Sequence, residues 1–381
     1  MAHPPAVLDR AGLDRLVEVL RAQDYRVVGP TVRDSAIVLE ELESGDRLPS
    51  GWGVESGPGH YRLRRRTDQA VFGHSAGAQS WKQFLHPPRR TLWTSDGTSY
   101  EPVPEAAPHF AFLGVRACDL AAIAVLARVL VGGTHSDTSF ARRRHDLFVV
   151  AAGCTEPGGV CFCASMGTGP TPGPGYDLSL TERIDAAGHR FLVEVGSDDG
   201  AEVLDLVGHR EASGAEVADA HDALDHAARH MGREMPPGDL RSLLAESRES
   251  PRWEEVASRC LTCGNCTAVC PTCFCTTVED ATELGDGGAS RSQRWSSCFE
   301  LDFSYLHGGS VRVSGASRYR QWMTHKLSSW HDQFDMSGCV GCGRCIAWCP
   351  TGIDITAEAA ALELERAARA DAGTGGIDGE S

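Results

Sequence analysis

Three observations predict an α+β fold. Phe110-Ala-Phe-Leu-Gly-Val115 and Leu147-Phe-Val-Val-Ala-Ala152 read as short buried strands on either side of a helix from about Asp119 to Leu130. A strand, helix and strand of these lengths suit a right-handed crossover between parallel strands. Ahead of them, Leu13, Leu16, Val17 and Leu20 recur at helical spacing, and strand-like Tyr25-Arg-Val-Val28 and Ala36-Ile-Val-Leu39 follow. From Trp253 the texture changes to dense Cys, Gly and aromatic residues, which marks a unit of a different kind.

The elements order into domains. Residues 1–110 form an N-terminal α/β domain without cysteine, punctuated by Pro and Gly at 49–59 and 102–108, which read as loops between short strands. Residues 111–248 hold the crossover, a Gly/Pro linker at 167–175, a strand at 189–195 and a polar, mostly helical stretch from 201. Residues 249–370 form the cysteine-rich domain, closed by a helix from about Ala357 to Ala370. The Gly/Asp tail, 371–381, is expected to be disordered.

With 41% hydrophobic and 23% charged residues, the 381-residue chain has the composition of an ordinary globular protein of two or three domains. A formal charge of −16 argues against a nucleic-acid partner, since binding to phosphates relies on basic residues. The basic runs Arg62 to Arg66 and Arg142 to Arg144 read first as solvated faces and second as docking patches for an acidic partner. No segment is long and apolar enough for a membrane span, and the start carries no signal-like pattern, so a cytoplasmic protein is expected. In a reducing compartment, fifteen cysteines are poor disulfide candidates and good metal ligands.

Their spacing carries the main chemical signal. Cys260-x2-Cys263-x2-Cys266-x3-Cys270-Pro271 and Cys339-x2-Cys342-x2-Cys345-x3-Cys349-Pro350 both fit the run that binds two [4Fe-4S] clusters. Three closely spaced thiolates wrap one cubane and the fourth reaches the other. One cluster is therefore expected on Cys260, Cys263, Cys266 and Cys349, the other on Cys339, Cys342, Cys345 and Cys270. Structural zinc would need only four ligands per site, usually as two separated pairs. The fold class is thus an N-terminal α/β platform with a C-terminal two-cluster ferredoxin-like, mostly helical domain.

Seven cysteines remain. If the crossover forms, Cys118 with Asp119 and Cys154 lie just beyond the carboxyl ends of adjacent parallel strands, the usual crevice for a site in such sheets. Cys161 and Cys163 follow in the next loop. These residues make a candidate third [4Fe-4S] site: Cys154, Cys161 and Cys163, with either Cys118 or Asp119 as the fourth ligand. Neighbours on an extended segment point to opposite faces, so only one of the pair can serve. The alternative is buried, inert thiols. Cys273, Cys275 and Cys298 either pack around the first cluster or combine in a site lacking a fourth thiol.

No glycine-rich dinucleotide turn or Walker-type loop occurs, and no nucleophile constellation is evident. No catalytic residue is assigned, and no cofactor beyond the clusters.

Gly114-Val-Arg-Ala-Cys-Asp-Leu120, Cys161-Phe-Cys163, Cys270-Pro-Thr-Cys-Phe-Cys275, Trp295-Ser-Ser-Cys-Phe299, Arg318-Tyr-Arg-Gln-Trp322, His325-Lys326 and Gly341-Cys-Gly-Arg-Cys345 together resemble one family. It comprises the iron-sulfur beta subunit of cytosolic NADP-linked nickel-iron hydrogenases (sulfhydrogenases) and the corresponding electron-transfer subunit of anaerobic sulfite reductase. Tyr61-Arg-Leu63 and Lys82 to Pro88 fit its N-terminal part, whereas Ala117 stands where the family pattern has proline. The resemblance implies an electron-transfer subunit between a nickel-iron hydrogenase module and a flavin/NAD(P)H-binding subunit. In the sulfite reductase version, electrons would pass toward a sirohaem subunit instead.

Two further classes compete: a stand-alone redox sensor using Cys273, Cys275 or Cys298, and a sulfur-reducing catalyst with an open iron corner beside Asp119. Arg318, Arg320, Trp322, His325 and Lys326 read equally as a solvated surface or as a docking patch beside the clusters.

Overall fold

The computed structural model describes residues 3–105, 108–283 and 287–374. Strand β1 (Ala6–Asp9) leads into helix α1 (Arg10–Ala22), whose start is capped by the Asp9 carboxylate accepting the Gly12 N–H at 2.7 Å. Leu13, Leu16, Val17 and Leu20 fall on one face of α1 and are fully buried, each stabilising the fold by ~1.5–3 kcal/mol relative to exposure.

That face packs on an eight-stranded sheet, counted among the described residues. Its other strands are β2 (Arg26–Arg33), β3 (Ala36–Glu41), β4 (Phe110–Arg116), β5 (Phe148–Ala152), β6 (Leu178–Asp185), β7 (Gly188–Val195) and β8 (Arg210–Glu211). The order is β8-β1-β7-β6-β5-β4-β2-β3. The four central strands β6, β5, β4 and β2 run parallel, and antiparallel strands flank them on both sides. Helix α2 (Ala117–Leu130) leaves β4 and the chain returns as β5, alongside and parallel, as the hydrophobic runs predict.

Both faces of the sheet are covered, so its central strands read as continuous apolar runs. Ala111 and Leu113 join the core under α1, while Phe110 and Phe112 join the core under α2. At Gly114 (φ +87°) the register of β4 against β5 shifts, and Val115 returns to the α2 side. A side chain at Gly114 would lie 2.9 Å from the Phe72 ring. The bulge re-aims the end of β4, where Cys118 follows.

The expected division at residue 110 runs through this sheet, because β2 pairs with β4. The division near 249 is also bridged. Arg89–Ser95 pairs with Ala289–Trp295 in a second, four-stranded antiparallel sheet, so the N-terminal segment supplies strands to the cysteine-rich unit. Long-range strand pairing overrode boundaries drawn from local composition.

Apart from a small hairpin of Tyr305–Leu306 with Gly309–Ser310, the rest of the cysteine-rich unit is mostly helical, with helices at Arg252–Arg259, Gly315–Thr324 and Ile355–Thr374, and one short turn of helix inside each cysteine run. Trp253, Tyr319, Trp322, Met323, Ile346 and Leu362 form its core, against which Cys260, Cys266, Cys339, Cys345 and Cys349 pack. The last helix extends to Thr374, into the segment expected to be disordered; 375–381 lie outside the described residues. No helix among the described residues is long and apolar enough to cross a membrane.

Candidate metal centre

Cys260, Cys263, Cys266 and Cys349 line one cavity, walled by Phe299, Tyr319, Trp322, Ile353 and Ile355. Two left-handed residues, Thr262 (φ 50°) and Gly264 (φ 75°), coil the chain between the first three cysteines. The coil aims the Thr262 N–H at the Cys260 sulfur, 3.4 Å away. The fourth cysteine arrives from the other run, 83 residues beyond Cys266, as the x3 gap predicts.

Cys339, Cys342, Cys345 and Cys270 gather in the reciprocal arrangement. Burial, and then the Cys342 and Cys270 thiols, push Cys339 up to about 12, against a Gly341 N–H and the Lys326 ammonium, which pull it down. Cys345 is pushed well above its ordinary value by burial and then by Cys339, Cys342 and Cys270.

The third group also converges. Cys118, Cys154, Cys161 and Cys163 line one cavity together with Ser75, Pro157, Pro170 and Cys342. Cys118 sits in the first turn of α2 and Cys154 follows β5, as strand topology predicts. The Gly/Pro stretch at 167–175 is part of this site and not a free linker. Pro170 lines the cavity, and its carbonyl accepts the Cys154 N–H at 3.2 Å. Burial first, then the Cys154 thiol, pushes Cys161 up to about 12, and burial raises Cys118 and Cys163 as well. Thiols raised in this way become thiolates together only beside a strong positive charge such as coordinated iron.

Asp119 is not among these lining residues, which corrects its candidacy as fourth ligand. It is 4% exposed and receives two hydrogen bonds, each 2.9 Å, from the Arg344 guanidinium, which is 2% exposed. Cys118 and Asp119 lie on a helix and not on an extended segment, so they diverge by about 100°, and the buried arginine captures the carboxylate. Ala117 is the first residue of that helix, a position where alanine and the family's proline are both accommodated.

Arg318, Trp322 and Lys326 are buried, which removes these three from the expected docking patch and leaves Arg320 and His325 half-buried. Arg318 donates to the carbonyls of Arg312, Phe299 and Val313, and Lys326 to Thr272 Oγ1 and the Gly338 carbonyl. Lys82, from the N-terminal segment, inserts its ammonium between the carbonyls of Cys270 and Cys273 at 3.0 and 2.9 Å. Arg344 and these lysines lie inside or beside the cysteine motifs, but only their burial distinguishes them from surface charges. Arg64 is exposed and paired with Glu55, as on a solvated face, whereas Arg66 is largely covered and held by Asp68, Glu156 and the Gly73 carbonyl.

Among the described residues, no three His, Cys, Asp or Glu side chains approach closely enough to hold a single metal ion. The cysteines ring cavities, the arrangement expected of ligands to separate corners of a multi-iron cluster. The first and third cavities have five thiols apiece, four of their own and one from the second site, with no carboxylate in the lining. The donor chemistry fits iron-sulfur clusters.

Fold and cysteine array define an iron-sulfur electron-transfer protein on an α+β scaffold. Residues 259–353 match the 4Fe-4S dicluster domain. Over 250 residues the chain is 32% identical to sulfhydrogenase 2 subunit beta of Pyrococcus furiosus, covering 64% of this chain and 71% of the relative. The chain belongs to the family of that beta subunit. No solved structure matches it.

Proposed function

We propose that the chain is a three-cluster relay, carrying electrons between a nickel-iron hydrogenase module and a flavin/NAD(P)H-binding subunit. One [4Fe-4S] cluster is held by Cys260, Cys263, Cys266 and Cys349, the second by Cys339, Cys342, Cys345 and Cys270, and a third by Cys118, Cys154, Cys161 and Cys163. The hydrogenase assignment leans on the name of the Pyrococcus relative, a sulfhydrogenase subunit.

One observation carries the relay. Cys342 borders the third cavity and Cys345 borders the first, so a single cysteine run touches both neighbours. The third-site loop is also locked to that run, since Phe162 donates to the Gly341 carbonyl at 2.9 Å and Thr168 to the Val340 carbonyl at 2.7 Å. The sites therefore follow one another in the order third, second, first. When bound, the clusters supply the one-electron chemistry. The protein's own residues exclude water with aromatic and apolar walls and donate N–H groups to sulfur, both of which tune the potential.

Iron and acid-labile sulfide are to be measured on anaerobically purified protein. Cys154→Ala and Cys161→Ala should each lose about four irons per chain, one cubane. Unchanged iron in both variants would remove the third station. Anaerobic capture of the tagged chain from its own organism should bring down a flavin subunit together with a nickel-containing one. Recovery of a sirohaem protein in their place would overturn the hydrogenase assignment.

A further inference from the structure

Cys273, Cys275 and Cys298 take no part in the three sites above, yet they line one cavity of about 240 Å³. That space is several times the ~30 Å³ share of one water. It adjoins both ferredoxin-type sites. Trp322 lines both this cavity and that of the first site, and the Lys82 ammonium ties the Cys273 carbonyl to that of Cys270 of the second.

The walls are built for an anionic guest with several acceptors. Trp322 and Trp330 line the cavity at 3% and 1% exposure, and the indole N–H of each is buried without a hydrogen-bond partner. Buried donors of this kind are normally satisfied. Lys326 also lines the cavity, and Lys82 lies beside Cys273. Their ammonium groups donate to carbonyls and to a hydroxyl. Among the described residues neither has a carboxylate within salt-bridge distance. Buried ammonium groups without a carboxylate call for a compensating anion.

We propose that Cys273, Cys275 and Cys298 bind a further iron-sulfur cluster, a four-iron cube held by three thiolates. Its fourth iron has no cysteine. The cavity wall carries His325, Gln321 and Gln333 but no further thiol. Such a cluster would offer sulfide acceptors to the orphaned indole N–H groups, and the two ammonium groups would offset part of the charge of thiolates and cluster. The site sits beside the junction of the first and second stations, as a branch from the relay. It does not depend on the third station.

The test uses the full chain purified anaerobically, with Cys275→Ala, Cys298→Ala and Cys154→Ala compared. The first two should each lose about four irons. Mild oxidation of the unaltered chain should release the fourth iron and produce the EPR signal of a three-iron cluster. That signal should vanish in Cys298→Ala and persist in Cys154→Ala, which keeps failure here distinct from failure of the third station. As a check that needs no variant, native alkylation should spare Cys273, Cys275 and Cys298 until the clusters are destroyed by acid. The proposal is overturned if these three thiols alkylate while the protein keeps all its iron, or if iron is unchanged in both Cys275→Ala and Cys298→Ala.

Discussion

Between Cys260 and Cys266 the chain turns through Thr262 and Gly264, at φ 50° and 75°; between Cys339 and Cys345 it turns through Gly341 and Gly343, at φ 63° and 73°. The backbones are near copies. Their surroundings are not. A side chain at Gly341 would lie 2.6 Å from the Cys163 backbone, and one at Gly343 would lie 2.3 Å from the Val160 carbonyl. Thr262 tolerates its side chain, and Leu261 beside it is 63% exposed. Asn265 of the first run spends its amide on the Trp348 carbonyl, whereas Arg344 at the equivalent place in the second run reaches Asp119. The same ligand spacing thus serves two tasks. The second run is wedged against the crossover and its thiols, and the first is the outward end of the array, with Cys263 exposed.

The sharpest way to break this contrast is Arg344→Leu. It leaves Asp119 charged and buried without a partner, and should cost ~3–5 kcal/mol, read as a lower urea midpoint for loss of cluster absorbance. Replacing Asp119 by leucine as well should restore much of the loss, since neither charge then remains buried. Next comes Gly341→Ala, where crowding against Cys163 should cost ~1–3 kcal/mol and, on the proposed order of stations, perturb the EPR of the proposed second and third clusters while sparing the first. If Gly341→Ala perturbs all three clusters equally, the proposed order of stations is wrong. The smallest effects belong to the first run. Asn265→Ala should change stability by no more than ~1 kcal/mol, and Thr262→Gly should stay within about 1 kcal/mol, as relief of a left-handed threonine is offset by glycine's entropy.

Much of this site was legible before any tertiary structure. Cysteine spacing is a local property, and a short intervening gap leaves the chain few ways to present three thiols to one cube. The crossover strands were legible for a related reason: apolar runs covered on both faces read as buried parallel strands, and a site beyond their carboxyl ends follows from topology. The pairing of Arg89–Ser95 with Ala289–Trp295 was not legible, because half-buried, largely polar strands carry little signal of which partner they choose.

From the sequence alone came the α+β class, the two cysteine runs with the fourth cysteine of one beside the first three of the other, and the approach of Cys154, Cys161 and Cys163 to the end of β4. Tertiary structure set Cys118 in the wall of the third cavity and Asp119 against Arg344, turned Arg318, Trp322 and Lys326 inward, and made the Gly/Pro stretch a wall of the third cavity. The reason is range. Period and spacing are written into neighbouring residues, but a buried charge is defined by its partner, and Arg344 lies 225 residues from Asp119.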